Sequence, residues 1–304
     1  MTTPKIADLI SPPCSQVSPT SSLGEAAAMM LDHRSSSVVV VDDNRQAVGL
    51  ITEGDVLHAM RQGQSAEQLV STIMSSPVYS VPGHTDFREA YRAAARQGIR
   101  HIVVTDESGT PLGVASESDV RQHLGPDFFH HLNDVSALMD RLFPRFPVDA
   151  RLDNALVAME AARATCTVIV DNKHPVGILT KRDIVRLFHQ AEVNPLLSTV
   201  MTQPVITISE NSSLAEAAQQ MSIAGIRHLI AINSEGHAVG LLSDHTLMRP
   251  LELMLLDEAD EERQTLTRSR DEAWRRTARN ERYQRALLDN FPFMVWLKDE
   301  QSQF

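Results

Sequence analysis

The sequence predicts an α+β fold made of four copies of one β-α-β-β-α unit, followed by a long C-terminal helix. The first observation is a nine-residue stretch that reads like a buried strand running into a helix. It occurs as VGLITEGDV (48–56), LGVASESDV (112–120), VGILTKRDI (176–184) and VGLLSDHTL (239–247). The second observation is its spacing, because the glycine of the stretch returns every 63 or 64 residues. A fixed period over most of a chain indicates repeated supersecondary units.

Each unit shows the same order of elements. A short strand and an alanine-rich stretch with apolar residues at helical spacing come first. A β-branched run, a polar turn, the nine-residue stretch and a second helix follow. The helical stretches are LGEAAAMMLDH, FREAYRAAARQG, LDNALVAMEAAR and LAEAAQQMSIAG, and the β-branched runs lie at 38–41, 102–104, 168–170 and 229–232.

The units are expected to pack in pairs, because about 60 residues with one small sheet bury too little apolar surface to stand alone. Units 2 and 4 share the openings STIMSSPVYSV and STVMTQPVITI and both contain GIRH, whereas units 1 and 3 have HRSSS and RATCT at that place. The order is therefore A-B-A-B, with LGPDFFHHL joining the pairs. The predicted repeats span 4–62, 69–125, 132–190 and 196–250.

Composition excludes several classes of partner. The 304 residues carry a net charge of -11 with a pI near 5.5, which argues against nucleic acid or an anionic membrane as the main partner. Cys14 and Cys166 are the only cysteines, so a reducing compartment is expected. No apolar run reaches about 18 residues. A cytoplasmic protein is predicted.

The period, the order of elements and the signature Gly-apolar-apolar-Ser/Thr-x-x-Asp resemble the cystathionine-beta-synthase (CBS) domain family. The resemblance covers residues 4–248 and implies two tandem pairs of repeats, known as Bateman modules. It further implies a regulatory ligand that carries adenosine (AMP, ADP, ATP, S-adenosylmethionine or a cyclic dinucleotide), bound between paired repeats, with no metal required. Such modules commonly regulate an attached domain.

The end of the signature can bind a nucleotide by simple chemistry. A helix that begins near Thr52 presents unpaired N–H groups and its positive dipole end to an anion. The Thr52 hydroxyl can bond a phosphate oxygen, and Asp55 offers two acceptor oxygens to the hydroxyls of a ribose. The same spacing is also a helix-capping box, which needs no ligand. The equivalent pairs are Ser116 with Asp119, Thr180 with Asp183, and Ser243 with Thr246, where the acid is missing.

Neighbouring charges rank these sites. Repeat 3 places Lys181 and Arg182 beside its presumed phosphate position, whereas the other repeats have an acid at the position of Lys181. An added carboxylate repels a phosphate in a partly desolvated cleft. The site at repeat 3 is therefore expected to be the strongest, although both cations are also typical of a solvated helix start. The acids of the other repeats are Glu53, Glu117 and Asp244.

The dipeptides Arg100-His101 and Arg227-His228 precede buried strands in repeats 2 and 4. The resemblance implies that these basic residues reach a phosphate in the partner's cleft. Alternatively, each arginine pairs with a carboxylate at the interface and each histidine is hydrogen-bonded and partly buried.

No motif of an enzyme is present in the repeats. A Gly-rich phosphate loop, a G-x-S-x-G elbow and HExxH are all missing, and the histidines lack the spacing of a metal site. Binding without turnover is the prediction for this chain.

The tail is predicted to transmit a signal. Residues 251–290 are rich in alternating acids and bases and favour a long exposed helix with a weak heptad, or else a solvated spacer. Residues 291–304 resemble the first strand of a PAS domain. That resemblance implies a longer protein with a GGDEF diguanylate cyclase or a histidine kinase as its output. A homodimer through the CBS modules and this helix is expected, and a ligand-free dimerisation scaffold is the rival hypothesis.

Overall fold

The computed structural model describes residues 4–10, 14–132 and 134–257. The chain divides into two compact units, Met1–Glu252 and Leu253–Phe304. The first unit contains four sheets of three strands each, which confirms the predicted α+β class. Residues 244–257 are helical. The remainder of the predicted linker helix, 258–290, and the PAS-like segment 291–304 lie outside the described residues.

The elements repeat in the predicted order. Repeat 1 contains β1 (Gln16–Val17), α1 (Leu23–Asp32), β2 (Ser37–Val41), β3 (Ala47–Thr52) and α2 (Glu53–Arg61), and repeat 2 contains β4 (Ser80–Pro82), α3 (Phe87–Arg96), β5 (His101–Thr105), β6 (Pro111–Ser116) and α4 (Glu117–Leu124). After α5 (Val135–Leu138), repeat 3 contains β7 (Arg145–Pro147), α6 (Leu152–Ala161), β8 (Cys166–Asp171), β9 (His174–Thr180) and α7 (Lys181–His189). After α8 (Leu197–Val200), repeat 4 contains β10 (Thr207–Ser209), α9 (Leu214–Ala224), β11 (His228–Ile232) and β12 (Ala238–Ser243).

All four sheets have the same topology. The first strand runs parallel to the second, and the second runs antiparallel to the third. The parallel pair is joined by the first helix of the repeat, as a parallel connection requires. Each antiparallel pair contains an irregularity at the same place, for example between Val40 and Val41 in repeat 1 and between Val104 and Thr105 in repeat 2.

The glycine of the repeated stretch allows two repeats to interlock. A Cβ atom on Gly49 would collide with the side chain of Met74, which comes from the segment that leads into repeat 2. Gly113 in repeat 2 would meet Ile10 from the start of repeat 1, so the contact is reciprocal. Gly177 meets Met201 and Gly240 meets Met139 in the same way between repeats 3 and 4. Repeats 1 and 2 therefore form one pair, and repeats 3 and 4 form the other.

The two pairs meet through their helices within a single chain. Helices α1 and α2 pack against α6 and α7, with Leu57 among the buried side chains of repeat 3 and Val185 among those of repeat 1. On the other side, the Nε of Arg121 on α4 lies 2.6 Å from the Oδ1 of Asp244 in repeat 4, and both side chains are less than 10% exposed. Within the described residues, no helix has the length and apolar composition needed to cross a membrane.

Candidate functional site

Four helix starts converge where the two pairs meet. Helices α2, α4 and α7 and the helix at 244–257 each begin directly after the third strand of their repeat. A cavity of about 270 Å³, which we call the central cavity, lies at this point. It is lined by the first residue of each of these helices: Glu53, Glu117, Lys181 and Asp244.

The signature aspartates cap their own helices with one oxygen. The Oδ2 of Asp55 accepts hydrogen bonds from the backbone N and the Oγ1 of Thr52, both at 2.7 Å. Asp119 accepts from the N and Oγ of Ser116 at 2.8 and 2.6 Å. Asp183 accepts from the N and Oγ1 of Thr180 at 2.9 and 2.7 Å. The capping-box prediction is confirmed in all three repeats, and each hydroxyl already donates its proton to the acid.

The second oxygen distinguishes the three sites. The Oδ1 of Asp183 accepts hydrogen bonds from the Oγ1 of Thr202 at 3.1 Å and from the Nη2 of Arg186 at 3.3 Å. For Asp55 and Asp119, none of the described residues donates a hydrogen bond to this oxygen. Burial raises the pKa of Asp55, although Thr52 and the charge of Lys181 act in the opposite direction.

Repeat 4 shows that the cap does not need an acid. The backbone N of Ser243 donates to the Oγ1 of Thr246 at 2.6 Å, and the backbone N of Thr246 donates to the Oγ of Ser243 at 3.2 Å. A threonine therefore makes both bonds of the capping box. The aspartates of the other three repeats provide something more than the cap, namely a negative charge and a second acceptor.

A larger cavity of about 600 Å³ contains two of the three aspartates. This cavity, which we call the shared cavity, is lined by Asp119 from the first pair and by Asp183 from the second. All four repeats contribute to it, and its basic residues are Arg34, Arg121, Arg182 and Arg227, with His33 and His228.

Glu53 holds two of these arginines. The Nη2 of Arg227 lies 2.8 Å from the Oε1 and 3.1 Å from the Oε2 of Glu53. The Nε of Arg182 lies 3.4 Å from the same Oε1, and its Nη2 donates to the backbone oxygen of Arg34 at 2.6 Å. The Glu53 side chain is 8% exposed. Arg227 therefore has the carboxylate partner that was one of its two sequence-based interpretations.

Lys181 and Arg182, which are adjacent in the sequence, face different cavities. Arg182 lines the shared cavity beside Asp183, whereas Lys181 lines the central cavity and lies near Gly54 at the start of α2. Burial and the neighbouring charge of Arg100 lower the pKa of Lys181, and the charges of Glu53 and Asp55 oppose this shift. The two cations therefore line different cavities, and the charges that act on Lys181 include those of Glu53 and Asp55 in repeat 1.

The histidines of repeats 2 and 4 join the members of each pair. The Nε2 of His101 lies 3.0 Å from the Oγ of Ser36, and the Nε2 of His228 lies 2.8 Å from the Oγ1 of Thr165. Burial lowers their pKa values to about 4 and about 3, helped by the neighbouring arginines. Both are therefore neutral at pH 7. In the sequence, GIRH of repeats 2 and 4 alternates with HRSSS and RATCT of repeats 1 and 3, which contain Ser36 and Thr165. The neighbouring Arg100 lines the central cavity.

Two clusters between repeats 2 and 4 were missed by the sequence analysis. The carboxylate of Asp244 is bonded by Arg121 and by the hydroxyl of Ser118. Glu117, His245 and Glu252 form the second cluster, with potential ligand atoms within 4.8 Å of one another, so this group could hold a metal ion. His245 and Glu252 are seven residues apart on one helix, which places them on the same face.

Comparison with protein families identifies all four repeats. A model of the CBS domain matches residues 6–62, 70–125, 135–190 and 197–252. Together these segments cover well over half of the chain.

Comparison with individual proteins finds relatives that match part of this chain. The uncharacterized protein MK0525 from Methanopyrus kandleri is 33% identical over 107 residues, which are 34% of this chain and 55% of that protein. The chain spans between about half and two thirds of the length of the first curated relatives it matches.

Solved structures share the fold. Protein MJ1225 from Methanocaldococcus jannaschii superposes with a TM-score of 0.72 at 19% identity, covering 81% of this chain and 99% of that one. The CBS domain protein PAE2072 from Pyrobaculum aerophilum, solved in complex with AMP, matches 38% of this chain and 88% of its own, with 25% identity and a TM-score of 0.36. Because the family model matches well over half of the chain, the chain belongs to the CBS-domain family and carries four CBS domains in tandem.

Proposed function

We propose that this chain is a regulatory sensor that binds an adenosine-containing nucleotide between its paired repeats. One observation carries the proposal. Three repeats have an aspartate where repeat 4 makes the same helix cap with Thr246. Because the cap is complete without an acid, the acid supplies a different property: its second oxygen, which the cap does not use, can accept hydrogen bonds from the hydroxyls of a ribose.

Asp119 is the best-prepared ribose acceptor. Its Oδ2 is committed to the cap of α4, and its Oδ1 accepts no hydrogen bond from the described residues. It lines the shared cavity, where a ligand can approach. At Asp183 a ribose would have to replace the bonds from Thr202 and Arg186, or share the oxygen with them. This difference predicts that the Asp119 site fills first, in contrast to the ranking from sequence.

The cations of the shared cavity suit the phosphates. The chain has a net charge of -11, but Arg34, Arg182 and Arg227 line this cavity together. Arginine offers forked donors that match phosphate oxygens. AMP, ADP, ATP and S-adenosylmethionine remain the candidate ligands, and binding without turnover is the proposed activity.

The binding is proposed to regulate a domain attached through the charged segment after residue 250. A ligand can shift an output only by its different affinity for two arrangements of the protein. The position of the cavities between the two pairs supports this idea, because a ligand there contacts both. The output itself, a PAS domain followed by a diguanylate cyclase or a kinase, rests on the sequence resemblance of residues 291–304, which lie outside the described residues.

Calorimetric titration with AMP, ADP, ATP and S-adenosylmethionine tests the proposal. The matched variants are Asp119→Thr and Asp183→Thr, because threonine keeps the cap as it does in repeat 4. Each is expected to weaken binding at least tenfold at its own site, the loss of about 1.4 kcal/mol that one charge-assisted hydrogen bond represents. Glu216→Ala is the control, since Glu216 caps α9 with Ser213 away from both cavities. Unchanged affinity in both threonine variants would remove the ribose assignment.

A ligand-free dimerisation scaffold is the second candidate. One observation favours it, because the described structure satisfies several charges internally: Glu53 with Arg227, Asp244 with Arg121, and Asp183 with Thr202. This hypothesis predicts a stable dimer and no thermal shift with any nucleotide. A melting temperature that rises with nucleotide concentration excludes it.

A further inference from the structure

We infer that Glu117, His245 and Glu252 bind a divalent transition-metal ion of the Zn²⁺ type between repeats 2 and 4. Glu117 is the first residue of α4 in repeat 2, and the other two residues lie on the helix at 244–257. Each of the three offers one ligand atom, and these atoms lie within 4.8 Å of one another. The inference goes beyond the proposed function and does not rest on it, because no nucleotide takes part.

The ligand atoms are close to the arrangement that an ion requires. In a tetrahedral zinc site the ligand atoms lie about 2.0–2.2 Å from the metal and therefore about 3.3–3.6 Å from one another. The Nδ1 of His245 lies 2.7 Å from the Oε1 of Glu117, so a hydrogen bond already holds these two side chains together. Small side-chain rotations would admit the ion, and the proton of this bond would leave to solvent as the metal takes its place.

The helix of repeat 4 supplies its two ligands from the same face. Seven residues make almost two turns, so His245 and Glu252 lie one above the other, about 10.5 Å apart along the helix axis. Side chains on a helix lean towards its N-terminus, which directs the long side chain of Glu252 back towards His245. An ion at this place would bridge two turns of the helix and join them to the start of α4.

The corresponding contact between repeats 1 and 3 shows the same position satisfied without a metal. In the repeated stretch Glu53 takes the place of Glu117, and Arg182 takes the place of His245. The Nε of Arg182 lies 3.4 Å from the Oε1 of Glu53, so that carboxylate faces a permanent positive charge. Between repeats 2 and 4 a histidine replaces the arginine, and a neutral imidazole is a metal ligand.

The exchange of arginine for histidine leaves negative charge that a metal ion would balance. The Glu117 side chain is only 11% exposed, and Glu252 is half-buried. Burial raises the pKa of Glu252, and the charge of Glu117 adds to this shift, whereas His245 and Arg100 oppose it. The hydroxyl of Tyr91 donates to the Oε1 of Glu252 at 3.4 Å, a bond of the kind that orients a ligating carboxylate.

The ligand set selects the class of ion. An imidazole nitrogen suits Zn²⁺ and the neighbouring first-row metals, whereas Mg²⁺ and Ca²⁺ prefer oxygen ligands. Three protein ligands leave the fourth tetrahedral position to a water molecule. Glu117 and His245 both line the central cavity, which gives this water a place. The site is therefore expected to prefer Zn²⁺ strongly over Mg²⁺.

The test is calorimetric titration of the chelator-treated whole chain with Zn²⁺ and with Mg²⁺. We expect Zn²⁺ to bind at least about 100-fold more tightly than Mg²⁺. His245→Arg copies the contact of Arg182 with Glu53, and Glu252→Gln keeps the shape of its side chain. Each should weaken Zn²⁺ binding by more than about 100-fold, because the loss of a mere outer-shell partner already costs about 10–100-fold.

His58→Ala is the matched control. The Nδ1 of His58 lies 2.5 Å from the Oε1 of Glu160, so this is also a contact between a histidine and a carboxylate, but Arg61 stands where a second acid would be needed. Its affinity for Zn²⁺ should equal that of the wild type. Thermal unfolding gives a second readout, because an ion that binds only the folded protein raises the melting temperature as its concentration rises. The rise should occur in the wild type and in His58→Ala and should be lost in His245→Arg and Glu252→Gln.

Three outcomes would overturn the inference. If Zn²⁺ binds no more tightly than Mg²⁺, the histidine is not a ligand. If Zn²⁺ binds the wild type, His245→Arg and Glu252→Gln with the same affinity, the metal lies elsewhere on the chain. If Zn²⁺ binds without raising the melting temperature, the ion does not join the folded repeats. None of these results bears on nucleotide binding, which the threonine variants test separately.

Discussion

Replacing Glu53 with glutamine should change stability and nucleotide affinity in opposite directions. Glu53 accepts two hydrogen bonds from Arg227, at 2.8 and 3.1 Å, and lies 3.4 Å from the Nε of Arg182. Its carboxylate therefore occupies donors that a ligand phosphate would need. In Glu53→Gln the arginines keep an uncharged acceptor but lose the opposing charge.

The magnitude follows from these contacts. Hydrogen bonds to charged groups contribute about 1.5–3 kcal/mol each, and glutamine retains part of one of them. Arg227 and Arg182 are 27% and 38% exposed, so solvent screens the pair and reduces the effect. We expect the free energy of unfolding of the ligand-free protein to fall by about 1–2 kcal/mol. The affinity for a nucleotide phosphate should rise about tenfold, which corresponds to about 1.4 kcal/mol.

Urea unfolding and calorimetric titration with ADP, carried out on the same preparation, measure both quantities. Glu160→Gln is the matched control, because Glu160 also pairs with two basic side chains, His58 and Arg61, but lines neither cavity. The control should lose some stability with no change in affinity. A Glu53→Gln protein that binds ADP as weakly as the wild type, or more weakly, would refute the idea that Glu53 competes with the ligand.

Three further predictions concern the packing between repeats. Arg121→Ala should reduce the free energy of unfolding, measured in urea, by about 3–5 kcal/mol, because it leaves Asp244 buried without its partner. Adding Asp244→Asn to this variant should recover part of the loss. Gly177→Ala should cost about 1–3 kcal/mol because its Cβ meets Met201, and Met201→Ala in the same protein should relieve part of this strain. Stability should fall as the pH decreases from about 6.5 towards 4. The pKa values of His101 and His228 are near 6.5 in the unfolded chain but about 4 and about 3 in the folded protein, so the unfolded chain binds more protons in this range. The double variant His101→Gln/His228→Gln should flatten this slope in urea titrations at pH 7, 6 and 5, and an unchanged slope would contradict the assignment.

The fold was predictable because a sequence pattern that indicates little in one copy occurs four times at a constant spacing. One nine-residue stretch that ends in a capping box is an ordinary strand-to-helix boundary. Four copies with a constant period require four equivalent environments, and the structure has four sheets with one topology. The same logic gave the pairing, since GIRH alternates with a hydroxyl-rich segment and His101 and His228 bond Ser36 and Thr165 across each pair.

The charges at the centre were not predictable in the same way. Arg121 pairs with Asp244, which is 123 residues away in the sequence, and Arg227 pairs with Glu53, which is 174 residues away. These contacts cross the boundary between pairs, so neither the period nor the pattern inside one repeat specifies them. The cavity that Lys181 lines was not predictable for the same reason. Adjacent residues at a helix start point about 100° apart around the axis, and only the packing of α7 against α2 decides which cavity each one enters.

The distribution of the acids connects the repeat pattern with the proposed ligand. Asp119 and Asp183 line the shared cavity. They belong to repeats 2 and 3, and both of these repeats retain the acid of the signature. Thr246 replaces the acid in repeat 4, and neither Thr246 nor Asp55 lines the shared cavity. If capping were the only role, the replacement could occur in any repeat without consequence, because threonine completes the cap. A nucleotide whose ribose lies in the shared cavity needs the acid of repeat 2 or repeat 3 and places no such requirement on repeat 4. The reverse change, Thr246→Asp, should therefore leave the affinity for AMP unaltered in calorimetric titration, and a variant that gained affinity would show that the ribose acceptor lies outside the shared cavity.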